Sequence, residues 1–411
     1  MTEAWIIDAC RTPRGIGKYG KGALSAMHPQ QLGASVLKAL AERTGIDTGE
    51  IDDIIWGTSA QVAQQGGDLG RMAALDAGYS TLASGVTLDR YCGSGITAVS
   101  MAAASVMAGM EDLVVAGGTE MMSMPNRRRP EDAPTMDNGN LRLRARHPQT
   151  HQGICADAIA TLEGISRDAL DDLGFLSQQR AKHAIENGHF DRSLVPVYHE
   201  DGSLALDREE YPRPQTTREA LSGLKPAFQA MADHPLDDQG TTYRSLILKK
   251  YPDLDIEFVH HAGNSSGVVD GAAALLLASP DYAKAHGLKP RARVVAMANM
   301  GDSPTLMLNA PGPAAKKALK KAGMTLDDID LIEINEAFAV VTEKFIRDLD
   351  VDRDKVNVNG GSIALGHPIG ATGSILIGTL LDELERRNLQ RGLVTMCAAG
   401  GMAPAIIIER V

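Results

Sequence analysis

A chain of 411 residues is too long for one ordinary hydrophobic core, so two or three domains are expected. Hydrophobic residues make up 44% but aromatics only 4%, beside 42 glycines, which calls for a core of closely packed Ala, Val, Ile and Leu such as layered α/β proteins build. The net charge of −11 argues against a nucleic-acid partner, which would need a basic face, and no apolar run reads as a membrane span.

The N-terminal stretch reads as a short strand, Ala4 to Ala9, without a basic segment and apolar core ahead of it, so no secretory leader is expected. Glu409-Arg410-Val411 is no peroxisomal address of the Ser-Lys-Leu type. Cys10, Cys92, Cys155 and Cys397 show no paired spacing for disulfides or zinc, which implies a reducing, cytoplasmic setting.

Strand and helix signals alternate from there. Gln31 to Thr44 has helical periodicity, Ile51 to Trp56 reads as a strand ending at Gly57, and Leu113 to Gly118 as a buried strand closed by glycines. Between them, Cys92-Gly93-Ser94-Gly95 opens an alanine-rich helix reaching about Met110. From Met121 to Phe258 the long apolar runs give way to proline, arginine and paired acidic residues, with a helix at Arg167 to Asn187. The alternation resumes at Gly271 to Leu277 and runs to the C-terminus. The expected organisation is an N-terminal half of residues 1–120 and 259–285, an inserted loop subdomain of residues 121–258, and a C-terminal half of residues 286–411.

The second half echoes the first. Glu50-Ile51-Asp52-Asp53-Ile54-Ile55-Trp56-Gly57 aligns with Asp328-Ile329-Asp330-Leu331-Ile332-Glu333-Ile334-Asn335, and Gly45 with Gly323. The same shift of 278 residues carries Gly95 onto Gly373, in another glycine turn before an apolar helix. A duplicated α/β unit folded about a pseudo-twofold axis accounts for this, and corresponding loops would converge on one site.

Cys92 sits where a glycine turn meets a helix N-terminus, a position whose unpaired N–H groups and dipole favour a thiolate. Taken alone, a cysteine in a tight turn is as well read as a small buried hydrophobe. Three later stretches share its character. They are Asn335-Glu336-Ala337-Phe338, the glycine-dense Asn357 to Gly373 with His367 between Gly366 and Pro368, and Cys397 before Gly400-Gly401. Singly, each of these also has a plain structural reading as a cap, turn or core residue.

Together, in this order and spacing, they resemble the thiolase family over essentially the whole chain. Ala262-Gly263-Asn264-Ser265-Ser266-Gly267, Tyr211-Pro212-Arg213-Pro214 and Leu224-Lys225-Pro226-Ala227-Phe228 add to the resemblance. It implies an α/β fold of two αβα halves in a five-layered αβαβα core, and a ping-pong transfer of acyl groups between coenzyme A thioesters. By that resemblance Cys92 is the nucleophile, His367 its base, and Cys397 the acid or base at the α carbon. Asn335 holds a water that completes one oxyanion site with His367. The backbone N–H groups of Cys92 and Ala399 form the other, with alanine at 399 where the family usually has glycine.

Coenzyme A is implied as a substrate, with no tightly bound cofactor and no metal. Its contacts would be Arg213, Ser266, Ala227, Phe228, Phe338 and His151. In the acyl pocket Gln152 replaces a methionine usual in short-chain members, while Met307 keeps a second one. Roughly twenty additional residues lie between Phe228 and His260. The pair His260-His261 invites a metal reading, but adjacent strand residues face opposite ways, which argues against it. A homodimer or homotetramer is implied, with no membrane partner. A decarboxylating ketoacyl synthase and a non-catalytic lipid carrier are the competing readings. The cysteine at 397 argues against the first, and the presence of all four polar site residues against the second.

Overall fold

The computed structural model describes residues 3–125 and 135–411, so residues 126–134 of the expected inserted stretch lie outside the description. The first half contributes β1 (Trp5–Arg11), α1 (Pro29–Thr44), β2 (Asp53–Gly57), β3 (Val86–Leu88), α2 (Ser94–Ala108) and β4 (Leu113–Met121). After the long insertion, which carries α3 (Gln152–Leu162), α4 (Arg167–Glu186) and the short α5 (Tyr243–Leu248), comes β5 (Val269–Ala278). The second half contributes β6 (Ala292–Gly301), α6 (Pro311–Ala322), β7 (Leu331–Ile334), α7 (Ala339–Leu349), α8 (Ile369–Arg386), β8 (Arg391–Thr395) and β9 (Met402–Arg410).

Local chemistry accounts for the helix ends. His28 caps α1 with Gln31 completing a capping box and Pro29 in the first turn, where its missing N–H costs nothing. The aligned glycines Gly45 and Gly323 both end their helices in the left-handed region, at a φ of 66°.

The sheets repeat one topology. In the first half β2 runs parallel to β3 and β4, and β4, β5 and β1 then pair antiparallel. In the second, β7 runs parallel to β8, and β8, β9 and β6 pair antiparallel. A single parallel bridge from Ile332 to Val356 stands where β3 pairs with β2. The halves are not separate sheets, as two stacked units would suggest. β1 and β6 pair antiparallel through Trp5–Arg293 and Ile6–Ala292, which joins both into one ten-stranded sheet among the described residues. Equivalent strands meeting antiparallel is what a local twofold axis produces.

Three cores separate five layers. One packs α2 and α8, through Ile96, Val99, Leu376 and Leu380, between Ile55 and Val114 of one half and Val394 and Ile406 of the other. A second lies under α1, with Leu37 and Trp56, and a third under α3, α6 and α7, with Ile159, Leu319 and Phe345. The stretch Tyr91–Ala108 is long and apolar enough to cross a membrane, contrary to the expectation that no such run exists. Here that composition serves the central layer, where α2 touches apolar side chains from both halves.

The inserted stretch is tied to the core by charge. Glu209 meets Arg11 at 2.7 Å and Arg14 at 2.9 Å, with all three side chains at most 3% exposed.

Candidate functional site

The turn before α2 is held in a conformation tyrosine rarely adopts. Tyr91 has a φ of 49°, and the hydroxyl of Ser94 pins it by accepting from Arg90 N at 2.8 Å and donating to Tyr91 O at 2.6 Å. A left-handed bulky residue costs on the order of 1–3 kcal/mol and persists where the surroundings over-determine it. The result leaves Cys92 two residues ahead of the first helical position, in the mouth of a cavity and 8% exposed.

Across from it, β7 ends at Ile334 and the chain turns through Asn335 and Glu336. Ser362 Oγ donates to Asn335 Oδ1 at 2.5 Å, which turns the amide nitrogen toward His367 Nε2, 3.4 Å away. On its other side, His367 Nδ1 lies 2.6 Å from Thr372 Oγ1, and that hydroxyl donates to Pro368 O at 3.0 Å. One hydroxyl carries one proton, so toward the imidazole Thr372 accepts. Nδ1 therefore holds the ring proton, and Nε2 presents a lone pair.

Glu336 braces this arrangement. It accepts from Ser177 Oγ at 2.6 Å, Asn357 Nδ2 at 3.0 Å and Ile363 N at 3.2 Å, which fastens the turn that carries Ser362. Burial pushes its carboxyl above the ordinary carboxylate range, against those hydrogen bonds.

Cys397 lies after β8, at the base of a tight turn closed by Ala398 N to Met402 O at 2.7 Å and Met402 N to Ala398 O at 3.1 Å. Gly400 and Gly401 take the left-handed positions, with φ of 80° and 76°, while Ala399 has no such requirement. Alanine at 399 is thus compatible with the backbone, and its N–H is present. Burial pushes the Cys397 thiol well above the usual range, and the neighbouring Cys92 adds to the shift. The two sulfurs are therefore close enough to sense each other.

A cavity of about 290 Å³ opens on Cys92, and residues of both halves line it, Ser59 and Tyr91 from one and Ile369 and Ala399 from the other. From the inserted stretch come Thr150, His151, Gln152 and Tyr243. His151 caps α3 by accepting from Gly153 N at 3.1 Å, and burial lowers its pKa.

The expected coenzyme A contacts extend away from this cavity. Phe228 and Phe338 form an edge-to-face pair at 5.9 Å, and the ring of His151 is 5.5 Å from Phe228. A Cβ at Gly153 would stand 2.4 Å from the Phe228 ring, so only glycine admits that stacking. Ala227 N donates to His260 O at 2.8 Å, and Ser266 N to Ala337 O at 3.0 Å. Arg213 lies further out, in a second cavity of about 180 Å³ with Tyr211 and Gly263.

Two expectations need correction. Met307 is buried, 1% exposed, with a φ of 64°, and is not among the side chains lining the Cys92 cavity; the cavity's methionine is Met136. The His260-His261 pair is not on a strand, because both N–H groups are taken by side chains, Asp157 Oδ1 and Asn264 Oδ1, in place of a ladder. The two imidazoles do diverge, each onto its own buried carboxylate at 2.8 Å, Asp157 for His260 and Asp171 for His261.

Ser362, Thr372, Tyr91 and Tyr243 went unremarked at the level of sequence. The first three sit inside the motifs, where a hydroxyl next to a functional side chain is a legible signal. Tyr243 gave none, because its proximity to Cys92 is a tertiary contact.

Comparison with known proteins finds two family models along the chain. Residues 4–232 match a family model described as "Thiolase, N-terminal domain", and residues 288–410 one described as "Thiolase, C-terminal domain". The chain is 40% identical to an acetyl-CoA acetyltransferase of Syntrophomonas wolfei, over 99% of each chain. It is 38% identical to a steroid 3-ketoacyl-CoA thiolase of Mycobacterium tuberculosis, over 100% of this chain and 95% of the relative. The crystal structure of the Bacillus anthracis acetyl-CoA acetyltransferase superposes with a TM-score of 0.84 at 33% identity, covering 100% of this chain and 99% of that one.

Proposed function

The chain belongs to the thiolase family and is an acyltransferase acting through coenzyme A thioesters, and from that premise we propose that Cys92 carries the acyl group. In the degradative direction His367 Nε2 takes the proton of Cys92, and the thiolate attacks the keto carbon of a 3-ketoacyl-CoA. The C2–C3 bond then breaks, its electron pair passes to C2, and Cys397 gives that carbon its proton, releasing acetyl-CoA. Free CoA gives its thiol proton to the Cys397 thiolate, attacks the thioester carbon on Cys92 and carries off the shortened acyl group, and the released Cys92 thiolate takes back the proton held by His367. The condensing direction is the reverse.

What supports these roles is convergence. Cys92 of the first half and Ile369 and Ala399 of the second share one cavity, and a thiol whose burial keeps it protonated suits Cys397 as the acid. Asn335 Nδ2 stands 3.4 Å from His367 Nε2, which supports the arrangement the resemblance implies, in which His367, once it has taken the proton, and a water held by Asn335 donate to the thioester oxygen as it gathers charge. The test is CoA-dependent cleavage of acetoacetyl-CoA and longer 3-ketoacyl-CoAs, with mass analysis of the quenched protein. An acyl group is expected on the Cys92 peptide and none in Cys92→Ala. A fully active Cys92→Ala overturns the assignment of the nucleophile.

We also propose a homodimer or homotetramer. The outer strand β3 carries Val86, 42% exposed, beside Leu82 at 77%, an apolar edge suited to a second copy. Light scattering that finds only monomer overturns this.

A further inference from the structure

The residues that follow Phe228 build an element that ends inside the Cys92 cavity. Thr242 and Ser245 close a capping box at the start of α5, with bonds of 3.1 and 2.9 Å, and this fixes Tyr243 as the first helical residue. Thr150 Oγ1 donates to Tyr243 O at 2.8 Å, which ties that residue to the turn carrying His151. Behind it, Leu246 and Ile247 are fully buried, and Ile247 packs in the core that contains Ile154 and Ile159 of α3. At the far end of the segment, Glu257 N reaches Thr161 Oγ1 at 3.0 Å, and Val259 N and His260 N both reach Asp157 Oδ1, so α3 and the turn before it hold the segment at its two ends. The ring of Tyr243 is therefore placed by a capped helix and a packed core rather than by a free loop.

His151 neighbours two rings. Its own ring is 5.5 Å from that of Phe228 and 5.8 Å, edge-on, from that of Tyr243. Phe228, Phe338 and Ser266 do not line the Cys92 cavity, whereas Tyr243, Tyr91, Met136 and Ile369 do. The cavity thus takes in Tyr243 and leaves out the aromatic pair, which suits the cavity to the acyl group and the aromatic pair to the pantetheine arm. At about 290 Å³ it holds about ten water-sized groups, several times what an acetyl group fills.

We propose that Tyr243 is the specificity-determining wall of the acyl pocket, and that the extra segment matches the enzyme to 3-ketoacyl-CoAs of about six to ten acyl carbons in preference to acetoacetyl-CoA. This rests on the acyl-transfer reading above. Two aromatic walls with a methionine and an isoleucine supply the apolar surface such a chain requires, and acetyl would leave most of it uncovered.

The experiment measures kcat/KM for acetoacetyl-CoA, 3-ketooctanoyl-CoA and 3-ketododecanoyl-CoA in the wild type and in Tyr243→Ala, Tyr243→Phe and Tyr243→Trp. Ratios between substrates within one preparation cancel the fraction of folded enzyme, so a poorly folding variant still reports. The wild type is expected to favour 3-ketooctanoyl-CoA over acetoacetyl-CoA by about tenfold or more. Tyr243→Ala should raise the dodecanoyl-to-octanoyl ratio at least fivefold, Tyr243→Trp should lower it, and Tyr243→Phe should keep it. Unchanged ratios in both the alanine and the tryptophan variants, or a wild type that prefers acetoacetyl-CoA, overturn the proposal. A wild type that cleaves none of the three substrates refutes the acyl-transfer reading instead.

Discussion

Gly95 and Gly373, the residues related by the internal duplication, face each other where α2 and α8 cross. A Cβ on Gly95 would stand 2.7 Å from Ser374 N, and one on Gly373 2.2 Å from Ile96 N. The crossing is close because neither helix has a side chain there, and the backbones meet within reach of Ser374 Oγ and Gly95 O, 3.3 Å apart. Cys92 lies three residues before one of these glycines and His367 six before the other, so this contact bears on the spacing between the proposed nucleophile and its proposed base. Gly95→Ala or Gly373→Ala should cost about 2–4 kcal/mol of stability by overpacking. Activity should fall more than a hundredfold in whatever fraction stays folded. Thermal unfolding and active-site titration, run together, check both effects.

Ser362→Ala should act through Asn335. Without the hydroxyl at 2.5 Å, Asn335 Oδ1 loses its donor and the amide is free to turn, so Nδ2 no longer faces His367 Nε2. Losing one oxyanion donor outright costs about 10²–10³ in kcat. A misoriented one should cost about tenfold, with KM for CoA little changed. Asn335→Ala should give the larger loss, and adding Ser362→Ala to it should change nothing further.

Thr372 holds the proton of His367 on Nδ1. Thr372→Val removes that acceptor and lets the ring carry its proton on Nε2, the wrong nitrogen for deprotonating Cys92. kcat should drop about tenfold. Alkylation of Cys92 by iodoacetamide should slow by a similar factor, whereas a merely structural defect would leave Cys92 at least as reactive.

The buried triad of Glu209, Arg11 and Arg14 makes stability depend on acid. Burial alone would raise the Glu209 carboxyl, but the two guanidiniums overcome it and hold its pKa at about 2, below the 4.5 of an unperturbed glutamate. A depressed folded pKa stabilises above the unfolded value, and that contribution, about 3 kcal/mol, is lost as pH falls from about 4.5 to about 2. The melting temperature of the wild type should fall over this range. Glu209→Gln should melt lower at pH 7, by roughly 3–5 kcal/mol for two uncompensated buried cations, and be flatter in acid. Equal acid sensitivity in both would rule the triad out as its source.

Much of this was legible from residue order. The strand and helix alternation, the glycine pairs Gly45–Gly323 and Gly95–Gly373, and the four polar motifs are local patterns, and each survives as a local structure. The chain's own repeat also announced that loops from both halves would meet. What stayed hidden depended on partners far along the chain. The family resemblance put Met307 in the acyl pocket, yet its side chain is buried in the core and does not line the Cys92 cavity. The His260-His261 pair looked like strand because β-forming residues surround it. Asp157 and Asn264 claim its N–H groups instead, and two buried aspartates claim its imidazoles.

Residue order alone determined which groups are present and which turns they occupy: a cysteine before a glycine-opened helix, a histidine locked between glycine and proline, a second cysteine before two left-handed glycines. These follow from short-range backbone sterics, which a few neighbouring residues settle. The tertiary structure alone decided which nitrogen of His367 holds the proton, how closely α2 and α8 approach, and that Tyr243, 151 residues after Cys92, shares its cavity. Those are outcomes of packing, in which the whole core selects one arrangement from many that the local pattern permits.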